Sequence, residues 1–399
     1  MTPERAVIVG ASHAGAQLAA NLRREGWSGE VVLIGDEGGL PYHRPPLSKG
    51  YLAGKNGLDD LLIRGADFYE KQHIRLLNAT VEAIHRSAKR VSLSTGDTLT
   101  YTKLALCTGA RARRLPTPGV DLPGIHYLRT AADVELIRAA ATPGRRVVIV
   151  GGGYIGLETA ASLCSLGMNV TDLEATERVL ERVTAPEVSA FYTRIHNGEG
   201  VEIRTHALVE AFSGNGRVQE VVLAGGEPIP ADLVIVGVGV VPNTELASAA
   251  GLSVDNGIVI DDQARTSDPD IVAAGDCTSH TMARYGSRIR LESVSSAGEQ
   301  AKIAAATICG KHSAIAALPW FWSDQYDLKL QIAGLNAGYD EVLLSGDPSR
   351  DRDFSCFYFR EGELIAADCV NRPRDFMSSK RAISQQLRVD RSELLAGSI

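Results

Sequence analysis

Short runs of apolar, mostly β-branched residues recur along the chain, and two of them break into glycine-rich turns followed by helical patterns. Residues 6–9 and residues 146–150 are each typical of a strand that is buried on both faces of a parallel sheet. A second strand follows each helical pattern, at residues 30–34 and 169–173. This order predicts two βαβ units, and therefore an α/β fold with two parallel, doubly wound sheets.

Elsewhere in the chain, apolar and polar residues alternate. Residues 74–106 alternate around a turn at Gly96–Asp97, and residues 210–223 alternate around a turn at residues 214–216, so both stretches predict hairpins. After Pro319 the sequence becomes aromatic and alternating, which predicts a β-rich domain with a polar helical tail at residues 378–395.

Three domains follow from these patterns and from the proline- and glycine-rich stretch after residue 110. The first helix is predicted over residues 16–25, behind a loop at residues 10–15. We expect one discontinuous domain of residues 1–110 and 242–318, a second of residues 111–241, and a C-terminal domain of residues 319–399.

Composition excludes some classes of partner and site but does not indicate an activity. The 399 residues carry a net charge of -7, which argues against nucleic acid as a partner. The six cysteines are scattered without metal-ligand spacing, so we expect free thiols in a reducing compartment and no metal site. Residues 1–5 pass directly into a strand, and no apolar run approaches the roughly 20 residues that span a bilayer. We therefore expect a cytoplasmic protein with no signal peptide and no membrane segment.

Both glycine turns have the spacing of dinucleotide-binding loops. Such loops let the backbone approach a pyrophosphate at a helix N-terminus, and an acidic residue after the second strand accepts hydrogen bonds from a ribose. The acidic residues here are Asp36 and Glu174, although Asp36 also suits a simple strand cap. The loop residues are Gly10, Ser12, Ala14 and Gly15 in the first copy, and Gly151, Gly153, Tyr154, Ile155 and Gly156 in the second.

The motifs together resemble a known family. They are the two loops, the Arg44–Lys49 segment, Thr108–Gly109, Gly237-x-Gly239 and Gly275–Asp276. This combination resembles the two-domain pyridine-nucleotide flavoprotein reductases. The runs at residues 291–294 and 321–325 are similar to those of the ferredoxin reductases that serve bacterial oxygenases. Ser12, Ser295–Ser296 and Asp172 depart from the family pattern.

The resemblance implies FAD at the first loop and a nicotinamide nucleotide at the second, in a glutathione-reductase-like fold without a redox disulfide. The implied FAD contacts are Gly10, Ser12, Ala14, Gly15, Asp36, Arg44, Lys49, Val81, Thr108, Gly109, Asp276 and Val294. The implied NAD contacts are Gly151, Gly153, Tyr154, Ile155, Gly156, Glu174 and Gly239. Glu174 favours NADH, because a carboxylate accepts hydrogen bonds from both ribose hydroxyls and repels a 2′-phosphate.

The resemblance also implies three residues beside the flavin. Lys49 and Glu158 are similar to a buried ion pair near the flavin N5, although Glu158 also suits a solvated glutamate near a helix start. Trp322 matches a tryptophan at the flavin edge, or is a core residue. Tyr154 either gates the nicotinamide pocket or packs at the start of its helix.

Residues 38–55 contain no cysteine, so the chain lacks the thiol relay that disulfide reductases of this fold place there. Direct transfer to a small acidic two-iron ferredoxin, by a monomer or weak homodimer, fits this absence. A basic docking face is then expected at Arg288, Arg290, Arg372, Arg374, Lys380 and Arg381. Two alternatives remain open, namely a rubredoxin or monodehydroascorbate type reductase and a redox-sensing module like apoptosis-inducing factor.

Overall fold

The computed structural model describes residues 4–396 and divides into two compact units. The first unit contains Met1–His43, Asp59–Arg111 and Val241–Pro319; the second contains Arg44–Leu58, Ala112–Val240 and Trp320–Ile399. The division into three domains stays a prediction, and the expectation of no signal peptide rests partly on residues 1–3, outside the described residues.

The strands and helices are numbered in chain order. The strands are β1 Arg5–Val9, β2 Glu30–Gly35, β3 Ile74–Asn78, β4 Val81–His85, β5 Arg90–Leu93, β6 Thr98–Thr100, β7 Lys103–Leu106, β8 Ala110–Ala112, β9 Ile125–Tyr127, β10 Arg146–Val150, β11 Asn169–Leu173, β12 Glu202–Arg204, β13 Val209–Ser213, β14 Glu220–Leu223, β15 Ile229–Pro230, β16 Leu233–Val236, β17 Val240–Pro242, β18 Ile258–Val259, β19 Ile271–Ala273, β20 Thr278–Met282, β21 Ser287–Ile289, β22 Trp320–Gln325, β23 Leu328–Gly334, β24 Glu341–Ser345, β25 Phe354–Arg360 and β26 Glu363–Val370. The α-helices are α1 His13–Glu25, α2 Ala66–Lys71, α3 Ala131–Ala140, α4 Tyr154–Ser165, α5 Pro186–Gly198, α6 Glu245–Ala249, α7 Val294–Ile308, α8 Pro373–Gln385 and α9 Arg391–Ala396.

A five-stranded parallel sheet in the order β3-β2-β1-β7-β19 forms the centre of the first unit. Val7, Ile8 and Leu104 are fully buried in it, which explains why its strands are almost uninterrupted apolar runs. The predicted hairpin over residues 74–106 is wrong at both ends, because β3 and β7 join this parallel sheet. Only β4, β5 and β6 between them form an antiparallel meander.

The second unit contains an equivalent parallel sheet in the order β12-β11-β10-β16-β9 and an antiparallel sheet in the order β22-β23-β26-β25-β24. Leu157 of α4 and Phe191 of α5 share a core with Leu330 and Phe354 of the antiparallel sheet. The predicted α/β class with two dinucleotide-binding sheets and a β-rich C-terminal region is therefore confirmed.

Three element boundaries differ from the predictions. Helix α1 begins at His13 rather than at residue 16, so the first glycine loop is shorter. Strands β13 and β14 form the predicted hairpin, but a longer connection joins them, over residues 214–219. The tail is two helices, because Pro373 starts α8 and Gln386 ends it in the left-handed conformation, with φ of 52°.

Candidate functional site

The first glycine loop is a close-packed turn between β1 and α1. A Cβ built on Gly10, whose φ is 107°, would lie 2.1 Å from the carbonyl oxygen of Cys107, and one on Gly15 would lie 1.9 Å from the carbonyl oxygen of Gly10. Both positions therefore require glycine. Ser12 is the N-cap of α1 with extended φ and ψ, a conformation open to serine. Its departure from the glycine pattern costs no backbone strain.

The second loop repeats this geometry between β10 and α4. A Cβ on Gly151, whose φ is 116°, would lie 2.6 Å from the carbonyl oxygen of Gly237, and one on Gly156 would lie 2.0 Å from that of Gly151. At Gly153, the counterpart of Ser12, a Cβ would meet no described atom within 4 Å. Ile155 is 44% exposed beside it. This open space at a helix N-terminus fits the pyrophosphate of a dinucleotide.

Glu174 lies directly after β11 and is already hydrogen-bonded to its own loop. One carboxylate oxygen accepts the backbone N–H of Gly152 at 2.9 Å, and the other accepts the N–H and the hydroxyl of Thr176, both at 2.9 Å. These three bonds fix the carboxylate beside the glycine turn, which is the position that a ribose-binding acid requires.

The first unit places its acid differently. Because β1 pairs with β2 as β10 pairs with β11, Gly35 is the structural counterpart of Glu174. A Cβ on Gly35 would lie 2.6 Å from the Cβ of Ala11. Asp36, one residue further on, is exposed. Sequence spacing did not reveal this difference in register between the two predicted acids.

Asp172, one of the departures from the family pattern, has unusual surroundings in the structure. Its side chain is fully buried, and neither carboxyl oxygen has a hydrogen-bond partner among the described residues. One oxygen lies 3.2 Å from a Cβ built on Gly152, and the other 3.5 Å from one built on Gly156. Burial, and next the nearby Glu174 carboxylate, raise the pKa of Asp172 to about 8.

Two turns of the first unit surround its loop. The Thr108 hydroxyl donates to the backbone oxygen of Asn243 at 2.6 Å, and the Asn243 amide donates to the Thr108 oxygen at 2.8 Å. A Cβ on Gly275 would lie 3.0 Å from the Cβ of Ala14, so the Gly275–Asp276 turn packs on the start of α1. Asp276 is half-buried there. These placements fit a flavin dinucleotide along the carboxyl ends of β1 and β19.

Gln300 of α7 is a positioning residue that the sequence did not reveal. Its side-chain oxygen accepts the N–H of Gly275 at 2.7 Å and the hydroxyl of Thr278 at 2.9 Å. A glutamine within an alanine-rich helix gives no indication in the sequence that it would position a turn.

The other predicted FAD positions of this unit have the following surroundings. Val81 is buried at the start of β4, Gly109 has a φ of 63°, and Val294 is half-buried at the start of α7.

A histidine pair also escaped the sequence reasoning. His13 at the start of α1 and His43 lie with Nε2 and Nδ1 3.0 Å apart, and His13 is 8% exposed. Burial, with the charge of Arg64 second, lowers the pKa of His43. One neutral ring therefore accepts the proton that the other donates.

Lys49 and Glu158 are brought together in the second unit. The Lys49 ammonium lies 2.7 Å from the Glu158 carboxylate, whose side chain is 1% exposed. Glu158 also accepts hydrogen bonds from the hydroxyls of Ser48 at 2.5 Å and Ser323 at 2.6 Å. It lies in the second turn of α4, so the alternative of a solvated glutamate near the helix start does not fit. Arg44, on the same segment, donates to the carbonyl of Arg129 at 2.8 Å.

The two aromatic candidates, Tyr154 and Trp322, lie in different surroundings. The Tyr154 ring packs on Phe321, with centroids 5.0 Å apart, and its buried hydroxyl has no hydrogen-bond partner among residues 4–396. Trp322 is half-buried and stacks on Trp320 at 5.5 Å.

Gly237 rather than Gly239 contacts the second loop; Gly239 is exposed with a φ of 92°.

The predicted docking residues are partly neutralised by ion pairs. Arg288 pairs with Asp255 at 3.3 Å, Arg290 with Glu292 at 2.7 Å, and Arg372 with Asp353 at 2.9 Å. Lys380 lies 4.8 Å from the centroid of the Trp320 ring. Arg374 and Arg381 are exposed and form no ion pair within the described part of the chain. Among the predicted docking residues, the two arginines that form no ion pair with a described residue therefore both lie in α8.

Cysteine and hydropathy patterns complete the description. All six cysteines are free thiols. Among residues 4–396, no helix combines the length and apolarity that crossing a membrane requires.

Comparison with known proteins places this geometry in a family. The family model described as pyridine nucleotide-disulphide oxidoreductase matches residues 4–301, and the one described as reductase C-terminal matches residues 320–398. The chain is 47% identical to putidaredoxin reductase of Pseudomonas putida, over 97% of this chain and 93% of that protein. It is 45% identical to a ferredoxin–NAD(P)(+) reductase of a Sphingomonas species, over 96% and 94%.

A solved structure agrees with these relatives. The crystal structure of the covalent putidaredoxin reductase–putidaredoxin complex matches with a TM-score of 0.95 and 45% identity, covering 99% of each chain. The resemblance inferred from the motifs is therefore confirmed, and so is the class of flavin- and nicotinamide-dependent oxidoreductase that it implied. The chain belongs to the pyridine nucleotide-disulphide oxidoreductase family.

Proposed function

We propose that the protein is an NADH:ferredoxin oxidoreductase, which passes electrons from NADH through FAD to a small acidic two-iron ferredoxin of an oxygenase system. The observation that carries this proposal is the buried Lys49–Glu158 ion pair at 2.7 Å, whose carboxylate lies on the helix that follows the second glycine loop. Relatives that are named ferredoxin reductases and match over nearly the whole chain support the acceptor class.

Residues of the two loops would hold the cofactors. The open N-terminus of α1, with Ser12, Ala14, Asp36 and Asp276, would bind FAD, and that of α4, with Gly153 and Glu174, would bind NADH. When bound, FAD would accept two electrons with a hydride and release them singly. Glu158 holds the Lys49 ammonium in the ion pair that the family resemblance assigns to the flavin, and the hydroxyls of Ser48 and Ser323 fix the carboxylate of that pair.

Glu174 supports NADH as the preferred nucleotide. Its carboxylate is fixed by Gly152 and Thr176, so it cannot turn away from a ribose. A 2′-phosphate at that position would bring two negative groups together, which costs affinity. The next basic residue, Arg178, donates to the carbonyl of Thr184 at 2.9 Å and to the hydroxyl of Ser189 at 2.6 Å, so it is already engaged.

The experiment that tests the proposal is reduction of the purified flavin-loaded protein in a stopped-flow instrument. NADH is expected to bleach the flavin absorbance much faster than NADPH does. A two-iron ferredoxin then reoxidises it faster than rubredoxin does, at equal acceptor concentration. Equal rates with the two nucleotides would refute the assignment to NADH, and faster turnover with rubredoxin would refute the ferredoxin assignment.

A further inference from the structure

The carboxyl group of Asp172 lies against the second glycine turn, beside the N-terminus of helix α4. A Cβ built on Gly152 would lie 3.2 Å from one of its oxygens, and one built on Gly156 would lie 3.5 Å from the other. The side chain is fully buried, and neither oxygen has a hydrogen-bond partner among the described residues. A buried polar group without a partner is costly, so the turn keeps this carboxyl group at the expense of stability.

The fold itself does not require a carboxyl group at this position. Because β1 pairs with β2 as β10 pairs with β11, Leu33 occupies in the first unit the position of Asp172 in the second. Leu33 is 1% exposed, and one of its methyl carbons lies 3.1 Å from a Cβ built on Gly15, the counterpart of Gly156. An apolar side chain therefore fills the same space against the same kind of turn. Packing alone does not account for an acid there.

The charge that acts on Asp172, within the described part of the chain, is that of Glu174. Glu174 projects from the same face of β11, and a Cβ built on Gly152 would lie 3.1 Å from the Glu174 Cβ, so the two acids flank one glycine. The residues paired with Asp172 on the adjoining strands are apolar, Ile149 of β10 and Ile203 of β12. Burial, followed by the like charge of Glu174, raises the pKa of Asp172 to about 8, so the group is neutral at pH 7.

A dinucleotide at this turn would add further negative charge. By the proposed function, on which this inference rests, the diphosphate of NADH binds at the open N-terminus of α4. An ionised Asp172 would repel that diphosphate through the buried turn, where salt screens less than it does on the surface. We infer that Asp172 is a proton-linked determinant of nucleotide affinity: the second loop binds the dinucleotide with this carboxyl group protonated and loses affinity when the proton is released.

Nucleotide binding and protonation of Asp172 therefore strengthen each other. A bound diphosphate disfavours the ionised carboxyl group, so it raises the pKa of Asp172 above its value in the free protein. Binding is unaffected at pH values below the pKa of the free protein. Above it, binding takes up a proton and weakens as pH rises. A rise of about one pKa unit on binding lowers the affinity roughly sevenfold between about pH 7 and about pH 9.5.

ADP-ribose is the probe that tests this linkage. It carries the diphosphate and the adenosine ribose but neither a nicotinamide nor a 2′-phosphate, so it cannot reduce the flavin, and its charge is constant over this pH range. Its dissociation constant is measured with the flavin-loaded protein by isothermal titration calorimetry. For the parent, the constant should rise roughly sevenfold from about pH 7 to about pH 9.5. At about pH 8.5, titrations in buffers of different ionisation enthalpy should show uptake of about half a proton.

Four variants locate the effect. Asp172→Asn keeps the shape of the side chain without a titrating proton, and Asp172→Val removes both oxygens, so both should bind ADP-ribose equally well at each pH and take up no proton. Glu174→Gln removes the like charge, so its affinity should begin to fall at a lower pH than that of the parent. Thr171→Val is the matched control, because it alters the preceding residue of β11 and should keep the full pH dependence.

An equal fall of affinity with pH in Asp172→Asn and the parent would overturn the inference, as would a parent whose affinity does not change with pH. Either result would leave the proposed function intact, because ADP-ribose would still bind. If Asp172→Asn does not fold, Asp172→Val decides the matter.

Failure of ADP-ribose to bind the parent at about pH 6.5 would refute both the inference and the proposed function. A preference for NADPH or for rubredoxin in the stopped-flow experiment would refute the proposed function alone, since the diphosphate would still bind at the second loop.

Discussion

Replacing Asp172 by valine should stabilise the protein, and the gain should grow with pH. Valine has the branched shape of aspartate, suits a buried strand, and removes two carboxyl oxygens that have no partner among the described residues. The pKa of Asp172 is raised by burial from 3.8 to about 8. Between those values the native protein holds a proton that the unfolded chain has released, so native Asp172 lowers the free energy of unfolding progressively as pH rises.

The size of this loss of stability follows from the distance between the two pKa values of Asp172. Each pH unit within it costs about 1.4 kcal/mol, so the cost reaches roughly 4 kcal/mol near pH 7. From about pH 5 to about pH 7.5 the advantage of Asp172→Val should therefore widen by about 3 kcal/mol. With an unfolding entropy of about 2.1 cal/mol/K per residue, 1 kcal/mol corresponds to about 1.2 °C for 399 residues, so the difference in unfolding temperature grows by about 4 °C.

Thermal unfolding across this pH range, followed by differential scanning calorimetry, measures the effect. Thr171→Val is the matched control, because it makes an equivalent change one residue earlier in β11, where the hydroxyl donates to Glu202 at 3.2 Å on the surface. Its difference from the parent should not vary with pH. A constant gap between Asp172→Val and the parent at all pH values would refute the reasoning, since it would mean that Asp172 is ionised throughout.

Three further predictions concern the cofactors and the acceptor. Glu174→Ala should raise the Michaelis constant for NADH about tenfold and that for NADPH less, because charge-assisted ribose contacts are lost; equal increases in steady-state assays would contradict its role. Gln300→Leu leaves the Gly275 N–H without its acceptor, at about 1–3 kcal/mol, so flavin fluorescence should appear at a lower temperature on heating; an unchanged release temperature would count against this anchor. Arg374→Glu should slow ferredoxin reduction several-fold at low salt and leave ferricyanide reduction unchanged, with the effect shrinking at high salt; a parallel fall in both assays would exclude docking at α8.

The two parallel sheets could be predicted because each βαβ unit is formed by residues that are close together in the chain. The buried strands of such a unit appear directly as short apolar runs. The close approach of Gly35 to Ala11 could not be predicted, since Asp36 lies only one residue further beyond its paired strand than Glu174 does. Likewise, β3 lies at the edge of its sheet, where an exposed Arg75 interrupts the apolar run, so a parallel strand resembled half of a hairpin.

The site shows the same limit at longer range. Lys49 and Glu158 were paired through their resemblance to a family, but Ser323 contacts Glu158 across 165 residues of sequence, and His196 contacts Gln325 across 129. No local pattern distinguishes such a serine or histidine from an ordinary core residue. Hydrogen-bond partners that distant become visible only when the sheets and helices are assembled.

The close approach of Gly35 to Ala11 restricts how the two nucleotide loops can diverge. A side chain at position 35 is blocked unless position 11 first becomes glycine, while Ala11→Gly alone adds backbone freedom and gains nothing. Placing an acid in the first loop at the position that Glu174 occupies in the second therefore takes two substitutions in a fixed order, and the first of them brings no gain. No single substitution at position 35 therefore interconverts the two loops, although they share the same strand–turn–helix geometry.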